Sequence, residues 1–355
     1  MNSSADTSKI PVKNIYYMLA YAWDHPHESR MIDVYGEDEK DIINLLSKIL
    51  ILKVRSLIKR GFYREYTPVR EESGVIRGKV LFKESFEKFS YKKGKMHIKH
   101  EEFTDDILHN QLIKATLLRL SMYEHLEKEY YEDLKRMLMY FRSISRIELK
   151  PKFFNQVTLH RNNQHYRFIL NICQFISENV LLHEGSGESA FNDFSRDHMK
   201  MARLFENFVK NFYRREHPES NARSETLDWG AIGEKNEYLP LMHTDISMIV
   251  ENQKYIIDTK FYQHGLLEFK GKEIIRSGHL YQLYAYLEND RRKRNGDKAV
   301  GILLYPRVYQ SFHFNYEIQG FHMKICSVDL AENWRDIERR LKGILSKADA
   351  LNINN

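Results

Sequence analysis

Residues 244–262 read TDISMIVENQKYIIDTKFY, and no other stretch constrains the fold so tightly. Two β-branched, apolar runs have the composition of buried strands, yet Asp245 opens the first, and Asp258 and Lys260 stand near the end of the second. Side chains two apart on a strand share a face, so Asp258 and Lys260 project together beside Ile256. Burying these strands places a carboxylate and an ammonium on sheet core, where a charge needs a partner or a metal. Val250 and the Tyr255-Ile256-Ile257 run mark both strands as central. Taken alone, the D-x₁₂-D-x-K pattern also suits an edge hairpin with a solvated Asp–Lys pair.

Around these strands the chain alternates helix and strand. FILNICQFISENVLL and MARLFENFVKNFYRRE predict helices before them, with a Gly/Ser-rich loop at HEGSGESA between. GHLYQLYAYLENDRRKR predicts a helix after them, followed by strands at AVGILLYP, HFNYEI and FHMKICSV and a final helix from about Ala331. Helix, three strands, helix, strand is an α/β order. The N-terminal part reads differently. IPVKNIYYMLAYAWD predicts a helix from about Ile15 capped by Asn14, and DIINLLSKILILKVRSLIKRG a second that stops at Gly61. From Phe62 to Lys99, proline, paired glycines and β-rich runs predict a small sheet or barrel-like insertion. Helical spacing returns from Thr104 to about Tyr140, through Asn110, Ile113, Leu117 and Leu120. At 355 residues the chain exceeds a single core. We therefore expect an α+β N-terminal domain over residues 1–160 and, over 161–355, an α/β domain with a central mixed sheet flanked by helices.

Lysine and arginine exceed aspartate and glutamate by 55 to 49, a net charge of +6, which admits a polyanionic partner without requiring one. With only Cys173 and Cys326, neither a disulfide framework nor a Cys-rich zinc site can form, so a reducing, intracellular setting is expected. MNSSADTSK lacks a secretory pattern, and IYYMLAYAW falls short of the roughly 20 apolar residues that span a bilayer. A cytoplasmic location with no membrane partner is the expectation.

The charges at the strand ends suit phosphodiester hydrolysis. Hard cations such as Mg²⁺ prefer oxygen ligands, and carboxylates from two paired strands converge readily on one ion. Such an ion polarises the phosphate and binds the attacking water, while a neighbouring lysine orients that water and offsets developing charge. Asp245, Asp258 and Lys260 supply this set if their strands pair. Two helices add to it: Gln282 and Tyr286 lie four apart on one helical face, and Glu206 sits among Leu204, Phe205, Phe208 and Val209.

Asp245, Asp258-Thr259-Lys260 and Gln282-x₃-Tyr286 resemble the core of the PD-(D/E)xK nucleases, in their RecB-like branch. IPVKNIYYMLAYAW, GVIRGKV and LLYP are similar to a narrower family, McrC, the nuclease subunit of the McrBC restriction system for DNA containing 5-methylcytosine. That resemblance spans nearly the whole chain. It implies a restriction-endonuclease-like fold for residues 161–355 and a Mg²⁺-dependent endodeoxyribonuclease, with Mn²⁺ as a substitute. It also implies Asp245 and Asp258 as metal ligands, Glu206 as an additional acidic ligand, Lys260 as the catalytic lysine, and Gln282 and Tyr286 as supports. Thr244 replaces the proline of the superfamily's pattern, a departure compatible with the ligand role of Asp245. By the same resemblance, a McrB-like AAA+ GTPase ring would recognise modified cytosine and translocate DNA, while this chain cuts and stimulates GTP hydrolysis.

The chain lacks a phosphate loop of its own. HGLLEFKGKE comes nearest, but its glycines are one residue too far apart and Glu273 replaces the Ser/Thr that would hold Mg²⁺, so no nucleotide is expected on this chain alone. The N-terminal domain is then the expected docking piece for the ring or for DNA. Its basic residues include Arg64, Arg70, Arg77, Lys79 and Lys83, and Arg77, between Gly74 and Gly78, is marked for stimulating the GTPase, with Lys79 beside it. A solvated surface fits the same charges. Ser186 in HEGSGES reads as part of a loop, and the sixteen histidines show no H-E-x-x-H spacing. Two other readings stand beside the nuclease subunit: a RecB-like nuclease with a different motor, and a non-catalytic adaptor that stimulates a GTPase ring.

Overall fold

The first helix, α1 (Val12–Ala22), begins behind Pro11, and Asn14 does not cap it. Asn14 is buried instead, its Nδ2 donating to the carbonyls of Leu330 at 2.8 Å and Glu332 at 2.7 Å. The structure, a computed structural model, describes residues 10–30, 41–182, 189–191, 197–233, 238–261, 267–269, 272–307 and 311–345. The chain divides otherwise than at residue 160: Met1–Ile42 joins Asp193–Asn355 in one unit, and Ile43–Asn192 forms the other. Aromatic packing explains the difference, because Tyr17 and Tyr21 of α1 lie edge-on to Phe208 at 5.6 and 5.9 Å between ring centroids. Asn211 secures the same contact by donating to the carbonyls of Tyr21 and Ala22 in the last turn of α1.

In the unit of residues 43–192, helices α2 (Ile42–Arg60), α4 (Leu108–Leu120), α5 (Lys128–Leu138) and α6 (Arg167–Asn179) bury an aliphatic core that includes Leu46, Leu112, Leu134 and Ile172. The helical spacing expected over 104–140 is met by two helices, α4 and α5. α6 belongs here, although the sequence pattern put it in the second domain. The basic segment forms an open sheet of β1 (Glu65–Ser73), β2 (Lys79–Val80) and β3 (Met96–Thr104), with α3 (Phe82–Glu87) between β2 and β3. Its order β1-β3-β2 is antiparallel throughout, so it is no barrel: β3 pairs on both sides while β1 and β2 keep free edges. A short pair, β4 (Val180–Leu182) and β5 (Ser189–Phe191), ends the unit, and Ser186 lies outside the described residues.

The other unit continues with α7 (His198–Glu216), capped by Asp197, whose side chain accepts from the amides of Met199 and Lys200. β6 (Thr226–Leu227) and β7 (Met242–His243) pair ahead of β8 (Ile246–Val250) and β9 (Gln253–Thr259). After a hairpin of β10 (Leu267–Phe269) and β11 (Lys272–Ile274) come α8 (Ser277–Lys293), β12 (Val300–Arg307), β13 (His313–Ile318), β14 (Phe321–Asp329) and α9 (Trp334–Ile344). Five strands make a mixed sheet in the order β13-β14-β12-β9-β8, parallel through β14, β12 and β9 and antiparallel at both margins. β9 is central, as its unbroken apolar run requires. β8 is an edge strand, contrary to the expectation that both would be central, and its Ile249 is exposed accordingly.

α8 lies close on the sheet. Leu283, Tyr286 and Leu287 pack with Ile256, Leu303, Met323 and Ile325. Gly301 permits this approach, because a Cβ there would stand 2.8 Å from Leu287 Cδ1. Cys173 and Cys326 are buried and form no disulfide. Among the described residues, no helix is long and apolar enough to cross a membrane.

Candidate active site

β8 and β9 pair as the site requires. Ile246 faces Ile257 in an antiparallel register, and one further step sets Asp245 opposite Asp258 at the end of the ladder. Asp245 occupies the bend before β8, and its Oδ2 accepts from the amide of Thr259 at 2.7 Å and from its hydroxyl at 2.8 Å. Those two bonds tie the carboxylate to the residue between Asp258 and Lys260.

Asp258 is fully buried, and Lys260 Nζ stands 2.7 Å from its Oδ2. The shared face read from the i, i+2 spacing is therefore real. The ammonium meets Oδ2 outside hydrogen-bonding geometry, and Oδ1 has no hydrogen-bond partner among the described residues. Burial pushes the Asp258 carboxyl up to about 7, against the attraction of Lys260 and with the added repulsion of Asp245 and Glu206. An orphaned, buried carboxylate oxygen facing two further acidic groups is a strong demand for positive charge.

α8 closes the site with a chain of hydrogen bonds. Lys260 Nζ donates to Gln282 Oε1 at 2.9 Å, Gln282 Nε2 to the Tyr286 hydroxyl at 2.7 Å, and that hydroxyl to the carbonyl of His243 at 2.8 Å. The four-residue spacing that put Gln282 and Tyr286 on one face is thus used as a direct contact. The chain begins at β9 and ends two residues before Asp245, so it fixes the lysine against both strands. The Gln282 amide is also oriented, because its two ends meet a donor and an acceptor.

Glu206 of α7 is half-buried, and burial with the nearby Asp245 raises its carboxyl above the usual range, partly offset by Lys210 at 3.6 Å. It acts on Asp258 electrostatically, but no three His, Cys, Asp or Glu side chains among the described residues converge to enclose an ion. Mg²⁺ does not need such a cage, since it usually keeps several waters and takes one or two carboxylates with a substrate phosphate. Asp245 and Asp258, with the orphaned Oδ1, fit that demand; Glu206 stands further out.

Three partners of the site escaped the sequence reading. Thr259 anchors Asp245, and its only signal was its place between Asp258 and Lys260. The His243 carbonyl has no side-chain signature. His279 lies three residues before Gln282 on the same helix, buried, with Nδ1 2.8 Å from the Tyr305 hydroxyl. Burial, with Lys260 and Arg276 nearby, pushes its imidazole down to about 4, so it is neutral at physiological pH.

Arg77 and Lys79 belong to the other unit. Arg77 lies in the bend between β1 and β2, and Lys79 opens β2 opposite Lys99; both are exposed. Gly78 holds φ at +67°, and a Cβ there would stand 2.5 Å from the Lys99 carbonyl, so the bend that presents Arg77 requires glycine. The sheet and the segment between β2 and β3 expose aromatic rings that the charge-led reading passed over: Tyr66 and Phe103 on the strands, and Phe82, Phe86, Phe89 and Tyr91 on α3 and just after it. Tyr66 and Phe103 meet at a tilt across β1 and β3, 5.0 Å between centroids, and Phe86 meets Tyr91 at 5.5 Å, so the rings pack on one another in solvent. Of HGLLEFKGKE, the nearest match to a phosphate loop, Leu267–Phe269 form β10 and Lys272 and Glu273 lie on β11, while the rest, both glycines included, lies outside the described residues.

Known proteins resemble this chain along most of its length. The sequence profile of the family described as McrBC 5-methylcytosine restriction system component matches residues 3–306. The Type IV methyl-directed restriction enzyme EcoKMcrBC of Escherichia coli (strain K12) is 30% identical over 341 residues, covering 95% of this chain and 98% of the relative. A solved half-complex from a tetradecameric assembly of Thermococcus gammatolerans McrB AAA+ hexamers with bound McrC contains a chain of similar fold. The TM-score is 0.53 at 19% identity, over 96% of this chain and 77% of that one.

Proposed function

The chain belongs to the McrC family of McrBC 5-methylcytosine restriction system components, and on that premise we propose that it is the subunit that cuts DNA. The observation that carries this reading is the array at the end of β9: a buried Asp258 opposite Asp245, its Lys260, and the Gln282–Tyr286 chain behind the lysine. Such an arrangement in a mixed sheet flanked by helices is what the PD-(D/E)xK fold requires.

Asp245 and Asp258 would hold a divalent cation, with Mg²⁺ the best match to their oxygen donors and Glu206 available through its outer position. When bound, the ion supplies electrophilic polarisation of the phosphate and a more acidic water. The chain's own residues do the rest. Thr259 fixes the Asp245 carboxylate so that it needs no reorganisation during the reaction. A cation on Asp258 would relieve Lys260 of its role as counter-charge, leaving the ammonium, still held by Gln282, to orient the attacking water and offset charge on the phosphate. Tyr286, bonded to the His243 carbonyl, keeps Gln282 from swinging away. His279, neutral, adds no second positive charge beside Lys260.

The three-stranded sheet of residues 65–104 serves as the docking surface for a McrB-like GTPase ring. Its solvent-exposed rings and the Arg77 bend suit a protein partner, because aromatic and arginine side chains dominate interface energetics. Recognition of modified cytosine and GTP hydrolysis then lie with the ring, and cleavage with this chain.

The test is cleavage of methylated and unmethylated plasmid with Mg²⁺, with and without the ring and GTP, comparing wild type with Asp258→Ala. Cutting that needs methylation, ring and GTP and disappears in the variant supports the proposal. Equal cutting without the ring points to a free-standing RecB-like nuclease. If neither protein cuts while both stimulate GTP hydrolysis, the chain is a non-catalytic adaptor.

A further inference from the structure

A second set of charges lies in the same unit, at the opposite ends of β9 and α8 from the candidate site, and the reaction does not use it. Lys254, at the start of β9, is almost fully buried, and its ammonium bonds to Asp290 of α8, which is wholly buried, and to Glu225 at 2.6 Å. Lys293, one turn further along α8, reaches the other oxygen of Glu225 at 2.9 Å. Arg294 closes the group from 3.7 Å to Asp290 Oδ2. Burial alone would raise the Glu225 carboxyl; Lys254 and Lys293 hold it below the usual range.

Two of the members sit on elements that also carry a site residue. β9 carries Lys254 and Asp258, and α8 carries Asp290 and Gln282. Glu225 is joined to the segment of Asp245 through Thr244: the Thr244 amide donates to the Glu225 carbonyl, and the Glu225 amide to Thr244 Oγ1, both at 3.0 Å. Apolar packing fixes how close α8 lies to the sheet but resists sliding weakly, since neighbouring leucines can exchange partners. Directional bonds between buried charges define a single alignment, the best-attested use of such groups.

We propose that Lys254, Asp290 and Glu225 form a register clamp, positioning residues that align β9, α8 and the Asp245 segment so that Lys260 meets Gln282 and Asp258 meets Asp245. This rests on the nuclease reading of the site. The clamp touches no substrate and acts only through alignment. Lys254 lies four residues from Asp258, and Asp290 eight from Gln282, so a slip at one end of two rigid elements is transmitted to the other.

The decisive variant is Lys254→Met/Asp290→Leu, because exchanging both members of a buried pair for apolar residues of similar size is often neutral or stabilising. Cleavage of methylated plasmid is measured in the full complex with ring and GTP, with thermal unfolding and hydrogen exchange on the chain in parallel. The clamp predicts an unfolding midpoint at or above wild type, kcat lowered at least about tenfold at unchanged KM, since small misplacements cost that much. It also predicts faster exchange of the amides at 258–260 and 282–286. Lys254→Arg, which keeps the bonds to both carboxylates, should restore most of kcat. Wild-type kcat and wild-type exchange in the double variant overturn the clamp. Should the wild-type complex itself fail to cut, the nuclease reading falls, while the exchange measurement still decides whether the clamp aligns these elements. If the double variant is unstable, Glu225→Gln, which leaves the Lys254–Asp290 pair in place, carries the same two readouts.

Discussion

Two regions of this protein carry charge and treat it in opposite ways. At the end of β9, Asp258 is fully buried and Lys260 is 13% exposed, and the pair is held at 2.7 Å by a chain of bonds running into α8. On the three-stranded sheet, Arg70 of β1 and Glu84 of α3 stand 3.3 Å apart with side chains 63% and 36% exposed, among aromatic rings that solvent reaches. Burial costs a charge several kcal/mol unless it is paired, whereas an exposed pair contributes about 0–1 kcal/mol. The first region therefore keeps its charges buried despite the cost, as the proposed catalytic role would require. The second carries charges and rings that do little for the fold and are available to a partner.

The sharpest way to break this contrast is Asp258→Ala. Cleavage should fall on the order of a hundred- to thousandfold, as losses of preorganised active-site charge do. Stimulation of the ring's GTP hydrolysis should be unchanged. Loss of both activities together would mean that the two regions are not functionally separate.

The converse variant removes the exposed surface. Phe82→Ser/Phe86→Ser should lower GTPase stimulation roughly tenfold or more, as truncation of aromatic interface residues does. The unfolding midpoint should hardly move, because exposed positions change stability by about half a kcal/mol or less. Arg77→Ala is the finer probe: a variant that binds the ring yet fails to stimulate it assigns the effect to the guanidinium, and unchanged stimulation removes Arg77 from the mechanism. A large stability loss in the aromatic variant would make those rings core and erase the comparison.

The two regions also differ in how far the sequence disclosed them. Asp258 and Lys260 were legible because a strand's period of two places them on one face, and Gln282 and Tyr286 because a helix brings i and i+4 together; both relations are local. The edge position of β8 and the attachment of α1 to the sheet-bearing unit were not legible. They depend on long-range choices: Asn14 looked like a cap because its carbonyl acceptors, Leu330 and Glu332, lie more than three hundred residues away. The exposed rings were hidden for a different reason. Aromatic residues in a β-rich run read as core, and only solvent exposure separates Tyr66 from Tyr255.

Acid titration probes the buried region alone. Asp258 titrates near 7 in the folded chain, against 3.8 for the ordinary aspartate, so between those values the folded form holds a proton that the unfolded form has released. Its contribution to stability is greatest below pH 4 and is lost as pH rises through 7. Replacing it with Asn removes the titration. Asp258→Asn should match wild type near pH 4 and exceed it in thermal stability at pH 7.5, with the gap opening across that window. Added Mg²⁺ should narrow the gap at pH 7.5 by stabilising only wild type. A gap of constant size from pH 4 to 8 would show that the carboxyl is not perturbed and would weaken the case for a buried, cation-seeking site.

The smallest effect sharpens the comparison from the exposed side. Glu84→Gln removes the charge partner of Arg70 on the sheet surface. Because solvent and salt screen the pair, the unfolding midpoint should shift by no more than about half a kcal/mol equivalent, and not at all at 0.5 M salt. If the sheet's charges exist for a partner, the change should appear instead in association with the ring, as an altered on-rate whose salt dependence differs from wild type, since rim charges act on encounter more than on residence. A variant that shifts stability but leaves association untouched would make Arg70–Glu84 a structural pair, and the exposed sheet would then differ from the buried site in degree of burial alone.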